Sequence, residues 1–262
     1  MGGIMDLKKI TLIVLVILLM VISVTKVSPW TEDPENHRHS IEQTEDKISV
    51  VMELAAVSAG ASALVSLIPG DACTPIAEQL AEFTKYFLLI LSALYLEKYL
   101  ICLSGFVTFT FIIPIAGAFF IAWLISKKDS FGTIAAKVLL FGIVVYLIVP
   151  ASVMITDGVY KTQAESIEHT LDEYNDLDLK EGSTLREKLT NAASSAVEKL
   201  SVFLRDLLES LAVMVVTACL IPLLAFVILV WFTKTLFTNN VLKLDADSAK
   251  KLISFGKIGQ KL

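Results

Sequence analysis

Little in this chain of 262 residues is equipped for covalent chemistry. There are only three cysteines and three histidines. Cys73, Cys102 and Cys219 stand far apart, with no Cys-x-x-Cys pair and no zinc-ligand spacing. Neither a disulfide framework nor a zinc site is indicated, and the one bridge left open is Cys73–Cys102. His37 and His39 flank Arg38 near Glu35 in a polar stretch that reads as a solvated loop sooner than a metal clip, and His169 stands among acids on a polar helix face. No His-Glu-x-x-His, Gly-x-Ser-x-Gly or glycine-rich phosphate loop occurs. The Pro-Gly-Asp at Pro69–Asp71 is a turn signal, since no second membrane aspartate accompanies it. Nucleic-acid readout features are missing too. The expectation is that no residue is catalytic, cofactor-binding or metal-ligating, that no cofactor is held, and that the protein is not an enzyme.

Charge is also absent where it would matter most. Phe106–Ile125, Val138–Ile155 and Leu211–Phe232 contain no Asp, Glu, Lys, Arg or His at depth, against ion- or proton-coupled transport. Each is close to the ~20 apolar residues that cross a bilayer. Each also carries one proline, at Pro114, Pro150 and Pro222, which membrane helices tolerate as kinks. With 55% hydrophobic residues and a mean hydropathy of +0.70, the composition is too apolar for an ordinary soluble domain. A further apolar run, Ile10–Thr25, follows Lys8 and Lys9. No small-x-small cleavage site comes after it, so it reads as an uncleaved signal anchor.

Lysines and arginines orient the spans. Lys127, Lys128 and Lys137 follow the second span, and the tail carries Lys234, Lys243, Lys250, Lys251, Lys257 and Lys261. By contrast, Asp157–Glu209 holds twelve acids and six bases, and Val27–Val50 six acids and two bases. The resulting division is a cytoplasmic N-terminus at 1–9, a signal-anchor span at 10–25 and an extracytoplasmic helical region at 26–104. A span at 105–126, a cytoplasmic loop at 127–137 and a span at 138–156 come next. An acidic outer hairpin at 157–209, a span at 210–236 and a basic cytoplasmic tail at 237–262 complete it. The fold class is an all-α integral membrane protein of about four transmembrane helices with an extracytoplasmic helical-hairpin bundle. In a six-span alternative, Val50–Ile68 and Phe83–Ile101 also cross, and Gly105 lies in an outer turn. Glu97 and Lys98 fall near the outer membrane boundary in both readings. As adjacent residues on a helix, they cannot pair with each other.

The outer segments carry helical seams. Tyr160, Ala164, Ile167, Leu171 and Tyr174 step by 4 and 3, a coiled-coil pattern. Gly182 interrupts it, Thr184 with Glu187 matches a capping box, and Leu189, Ala193, Ala196, Leu200, Phe203 and Leu207 share the next face. Ile41, Ile48, Met52 and Ala55 open an earlier helix, and Thr74 with Pro75 starts another as N-cap and first residue. Ile76, Leu80, Phe83, Phe87, Ile90 and Leu94 then form its seam. Phe83–Leu96 is apolar nearly all round and calls for enclosure by protein. The small-residue run Ala55–Ala63 suits close helix approach. The tail, with Leu242, Ala246, Ala249, Leu252 and Ile253, can form a basic amphipathic helix on the inner surface.

The expected function is that of a non-enzymatic multi-pass membrane protein, an oligomeric scaffold or sensor with an outer interaction domain. An oligomeric channel is the alternative, and Thr108, Thr110, Ser152 and Thr156 offer it only a thin polar stripe. Its partners would be the lipid bilayer and either further copies of itself or another membrane protein, without nucleic acid. It would reside in a cell membrane, in the manner of a bacterial inner-membrane protein, with both termini cytoplasmic.

Overall fold

A computed structural model describes residues 7–67, 73–176 and 193–238. Every element among them is helical. The order is α1 (Leu7–Ile22), a π-turn π1 (Ser23–Val27), α2 (Ser28–Glu32), a 3₁₀ turn (Pro34–His37), α3 (Arg38–Val65), α4 (Thr74–Val107), π2 (Thr108–Ile112), α5 (Ile113–Ser126), α6 (Asp129–Asp176), α7 (Ala193–Val215), π3 (Val216–Leu220) and α8 (Ile221–Thr238). Among the described residues, five continuous helical stretches are long and apolar enough to cross a membrane: Lys9–Glu32, Pro34–Val65, Thr74–Ser126, Asp129–Glu165 and Lys199–Thr238. A membrane protein is what such lengths fit.

The chain divides into two compact bodies. One comprises residues 39–100 and 150–225. Its core draws on four helices: Ile48, Val51, Leu54, Ala61 and Val65 from α3, Leu80, Phe83, Phe87, Ile90 and Leu94 from α4, Ile167 from α6, and Leu200, Phe203, Leu207 and Met214 from α7. The 4–3 spacing of these apolar residues makes one buried stripe per helix, the condition for a bundle. Of the seams read from sequence, Leu80, Phe83, Phe87, Ile90 and Leu94, with Ile167, Leu200, Phe203 and Leu207, lie in this core. Leu171 and Tyr160 pack against its edge. Met52 is the exception, 49% exposed, because its neighbours Val51 and Leu54 take the inward face. The Ala55–Ala63 run brings α3 close to α4, where Ser58 Oγ donates to the Leu80 carbonyl at 2.8 Å and Ser62 Oγ to the Ala77 carbonyl at 2.7 Å. The amide of Ala77 bonds the Cys73 carbonyl, so α4 begins at Thr74, one residue before the expected first position at Pro75. Enclosure of α4 is one-sided: Tyr86, Leu88, Leu89 and Leu96 stay exposed.

Among the described residues, the other body comprises 7–38, 101–149 and 226–238. Here α1, π1 and α2 run along the stretch from Gly105 through α5. A Cβ on Gly105 would lie 2.6 Å from the Thr31 Cβ, and one on Gly117 2.7 Å from the Met20 sulfur. These helices touch because both glycines lack side chains. Gly142 on α6 likewise admits Ile112, 2.8 Å from where its Cβ would be. Between α5 and α6 the chain reverses at Lys127, whose φ of 55° is left-handed, and its amide bonds the Trp123 carbonyl at 2.8 Å.

Two expectations are corrected by these helices. The turn that the six-span alternative places at Gly105 is helix, since α4 passes through Gly105 as far as Val107 and continues by π2 into α5. The loop expected at 127–137 shrinks to Lys127 and Lys128, because helix α6 starts at Asp129 with that acid in its first turn. Lys137 therefore lies two turns inside α6 and is buried. The capping box at Thr184, the start of its seam at Leu189, and the amphipathic tail lie outside the described residues.

Candidate functional site

Three π-turns among the described residues share one sequence rule. Each spans five residues and is followed by one residue and then a proline: Ser23–Val27 before Pro29, Thr108–Ile112 before Pro114, Val216–Leu220 before Pro222. Proline has no amide hydrogen, and its ring clashes with the carbonyl four residues back; widening the turn relieves both. In π2 the Ile113 amide bonds the Thr108 carbonyl. The next amide would be that of Pro114, which does not exist, so the Phe109 carbonyl loses its helical donor. Ser23 Oγ, from π1, donates to that carbonyl at 2.7 Å. One residue on, Ser28 and Thr110 share a hydroxyl–hydroxyl bond of 2.6 Å. Pro150, the remaining proline of the expected spans, sits inside α6.

The thin polar stripe of the sequence thereby finds internal partners. Thr108 donates toward the Gly142 carbonyl at 3.4 Å, and Thr156 to the Ser152 carbonyl at 2.7 Å. Of that stripe, only the Ser152 hydroxyl is a buried group left without a partner.

The bundle body holds a feature of a different kind. Lys47 on α3 is completely buried and Glu97 on α4 is 6% exposed. The Lys47 ammonium and both Glu97 carboxylate oxygens lack a hydrogen-bond partner, as does the Gln43 Oε1 one turn from Lys47. The Gln43 amide donates to Asp157 Oδ2 on α6 at 2.7 Å, and Lys161 reaches the same oxygen at 2.8 Å from outside. Burial pushes Lys47 below the ordinary lysine range, opposed by the facing charges of Glu97 and Asp157. Burial likewise lifts Glu97 above the ordinary carboxylate range, opposed by Lys47. Thus α3, α4 and α6 bring four polar side chains together inside an apolar core. Buried groups without partners are rare in folded proteins and call for a reason.

The sequence places Glu97 near a boundary beside Lys98 but does not say which way it faces. It turns inward. Lys98 turns outward and bonds Glu45 on α3 at 2.6 Å, an exposed pair whose hydrogen bond raises the lysine. Residues adjacent on a helix point ~100° apart, so one of two can enter the core. Lys47 escaped notice because it lies in a charged stretch, although Ile41, Ile48 and Ala55 already marked the inward face. A lysine one residue before Ile48 was the legible signal.

The histidines play local roles. The His37 ring lies 2.9 Å from the Thr31 carbonyl, His39 is exposed, and His169 stands 3.6 Å from Asp206. No group of three metal-ligating side chains occurs among the described residues. No family model, no curated protein and no solved structure matches the chain.

Proposed function

We propose that the chain is a non-enzymatic, multi-pass protein of a cell membrane, an oligomeric scaffold or sensor with an outer helical interaction domain. In this reading four spans cross: α1 with π1, the stretch from Gly105 through α5, the first half of α6, and the end of α7 through α8. Both termini face the cytoplasm, and the first span is a retained signal anchor. The bundle of residues 39–100 and 150–225 then stands outside, where it meets further copies or another membrane protein. The observation that supports this is helix continuity. The stretches Thr74–Ser126, Asp129–Glu165 and Lys199–Thr238 each supply the bundle and then run unbroken into apolar sequence. The one-sided apolar exposure of α4, at Leu88, Leu89 and Leu96, supports a docking role.

Reconstitution in liposomes tests the reading. Purified protein should carry a mass of several copies in detergent and pass no ions in vesicles. Steady ion flux would overturn the scaffold or sensor in favour of a channel, and a strictly monomeric mass would remove the oligomer.

A further inference from the structure

The Lys47–Glu97 pair has a geometry that structural ion pairs avoid. A buried pair offsets its desolvation only with close contact and with its remaining lone pairs and protons bonded. Here both groups are buried and each feels the other's charge, yet neither has a hydrogen bond. Both Glu97 oxygens, Gln43 Oε1 and the Lys47 ammonium are all buried without a hydrogen-bond partner. Water is what satisfies buried donors and acceptors that have no partner within the protein.

We propose that Lys47, Glu97 and Gln43 form a hydrated proton-binding site inside the bundle, which takes up one proton from solvent on Glu97 as the pH falls. The step balances simply. A hydronium ion gives its proton to a Glu97 carboxylate oxygen, leaving a neutral carboxylic acid and water, and the site gains one positive charge. Nothing is oxidised or reduced.

The groups facing the pair define the consequence. From α3 come Lys47 itself and Gln43, from α4 Glu97, from α6 Asp157 with Lys161 beyond it, and from π3 Cys219, which feels the Glu97 charge. Before uptake, Lys47 divides its attraction between Glu97 and Asp157. After uptake Glu97 is neutral, and Asp157 is the one carboxylate left to face the ammonium. The electrostatic tie of α3 therefore passes from α4 to α6. Proton binding is in this way coupled to which helix holds α3, independently of any membrane or partner assignment.

The test is an infrared titration of the full chain in detergent, with glutamate side chains carboxyl-labelled by carbon-13. The expected result is a labelled acid carbonyl band that grows in at a higher pH than the bulk of the exposed glutamates. It should vanish in Glu97→Gln, and in Lys47→Met its midpoint should move further upward because a favourable cation is gone. A wild-type spectrum in which all glutamates titrate together overturns the proposal, even if Glu97→Gln fails to fold. So does a late band that survives Glu97→Gln, or one whose midpoint ignores Lys47→Met.

Discussion

Placing an ammonium and a carboxylate in one apolar core sets two desolvation costs against a single attraction. Removing one partner leaves the other uncompensated, whereas removing both removes the problem. Lys47→Met should therefore destabilise the bundle by about 3 kcal/mol, while Lys47→Met with Glu97→Leu should be neutral or stabilising. A double-mutant cycle from denaturant unfolding in detergent measures the difference. The pH dependence has a defined sign. A carboxyl group raised in the folded state binds protons more tightly folded than unfolded. Its contribution is present below the unfolded value and lost as pH rises through the folded one. The thermal midpoint of wild type minus that of Glu97→Gln should thus grow more positive on mild acidification. At the bundle edge, Leu171 packs on the core while Glu168 is exposed. Leu171→Glu should cost a few kcal/mol, on the order of a buried charge losing hydration, and Glu168→Gln should be nearly silent. Equal midpoints for the two variants would mean that Leu171 bears no packing.

At the scale of elements, seams were legible because burial repeats with the helix. Leu80, Phe83, Phe87, Ile90 and Leu94 are buried as their spacing requires. Two things were not legible. Lys47 and Glu97 carry the chemical signature of surface residues, and only the partner helices reveal that they point inward. The π-turns were half visible: Pro114 and Pro222 announced irregular helices, but proline by itself does not say whether a helix kinks, widens or carries on as at Pro150. The widened turn gives a specific expectation. Ser23→Ala should leave the Phe109 carbonyl unsatisfied and cost about 1 kcal/mol. In a Pro114→Ala background the same change should cost less, since an amide hydrogen returns beside that carbonyl. Thermal midpoints of the four proteins of the cycle decide it, and identical costs in both backgrounds would refute the pairing.

For the whole molecule, the sequence pattern conveyed an all-helical chain with long apolar runs because both follow from composition and period alone. Where a run stops being a bundle helix is harder, as α4 shows by passing through Gly105 without a turn. Topology remains testable at the turn before α4. Cys73 is buried and makes a poor reporter of solvent. Glu78 is exposed on the same first turns of α4. In a cysteine-free protein, Glu78→Cys should react with a membrane-impermeant thiol reagent on intact cells or spheroplasts. Reaction only after permeabilisation would put this end of α4 inside and end the four-span arrangement.

The π-turns also act as shims in the angular clock of each helix. An α-helix advances ~100° per residue, so one surplus residue in a turn throws everything after it out of phase by that amount. A face counted down α4 does not continue as the same face of α5, nor that of α7 as the same face of α8. Pro29, Pro114 and Pro222 are thus each matched by an insertion that resets which way the following segment looks. Pro114→Ala with an α pitch restored through Thr108–Ile112 and no residue removed would turn the following segment by ~100°. The result would be an intact helix whose two halves no longer face the neighbours they now have.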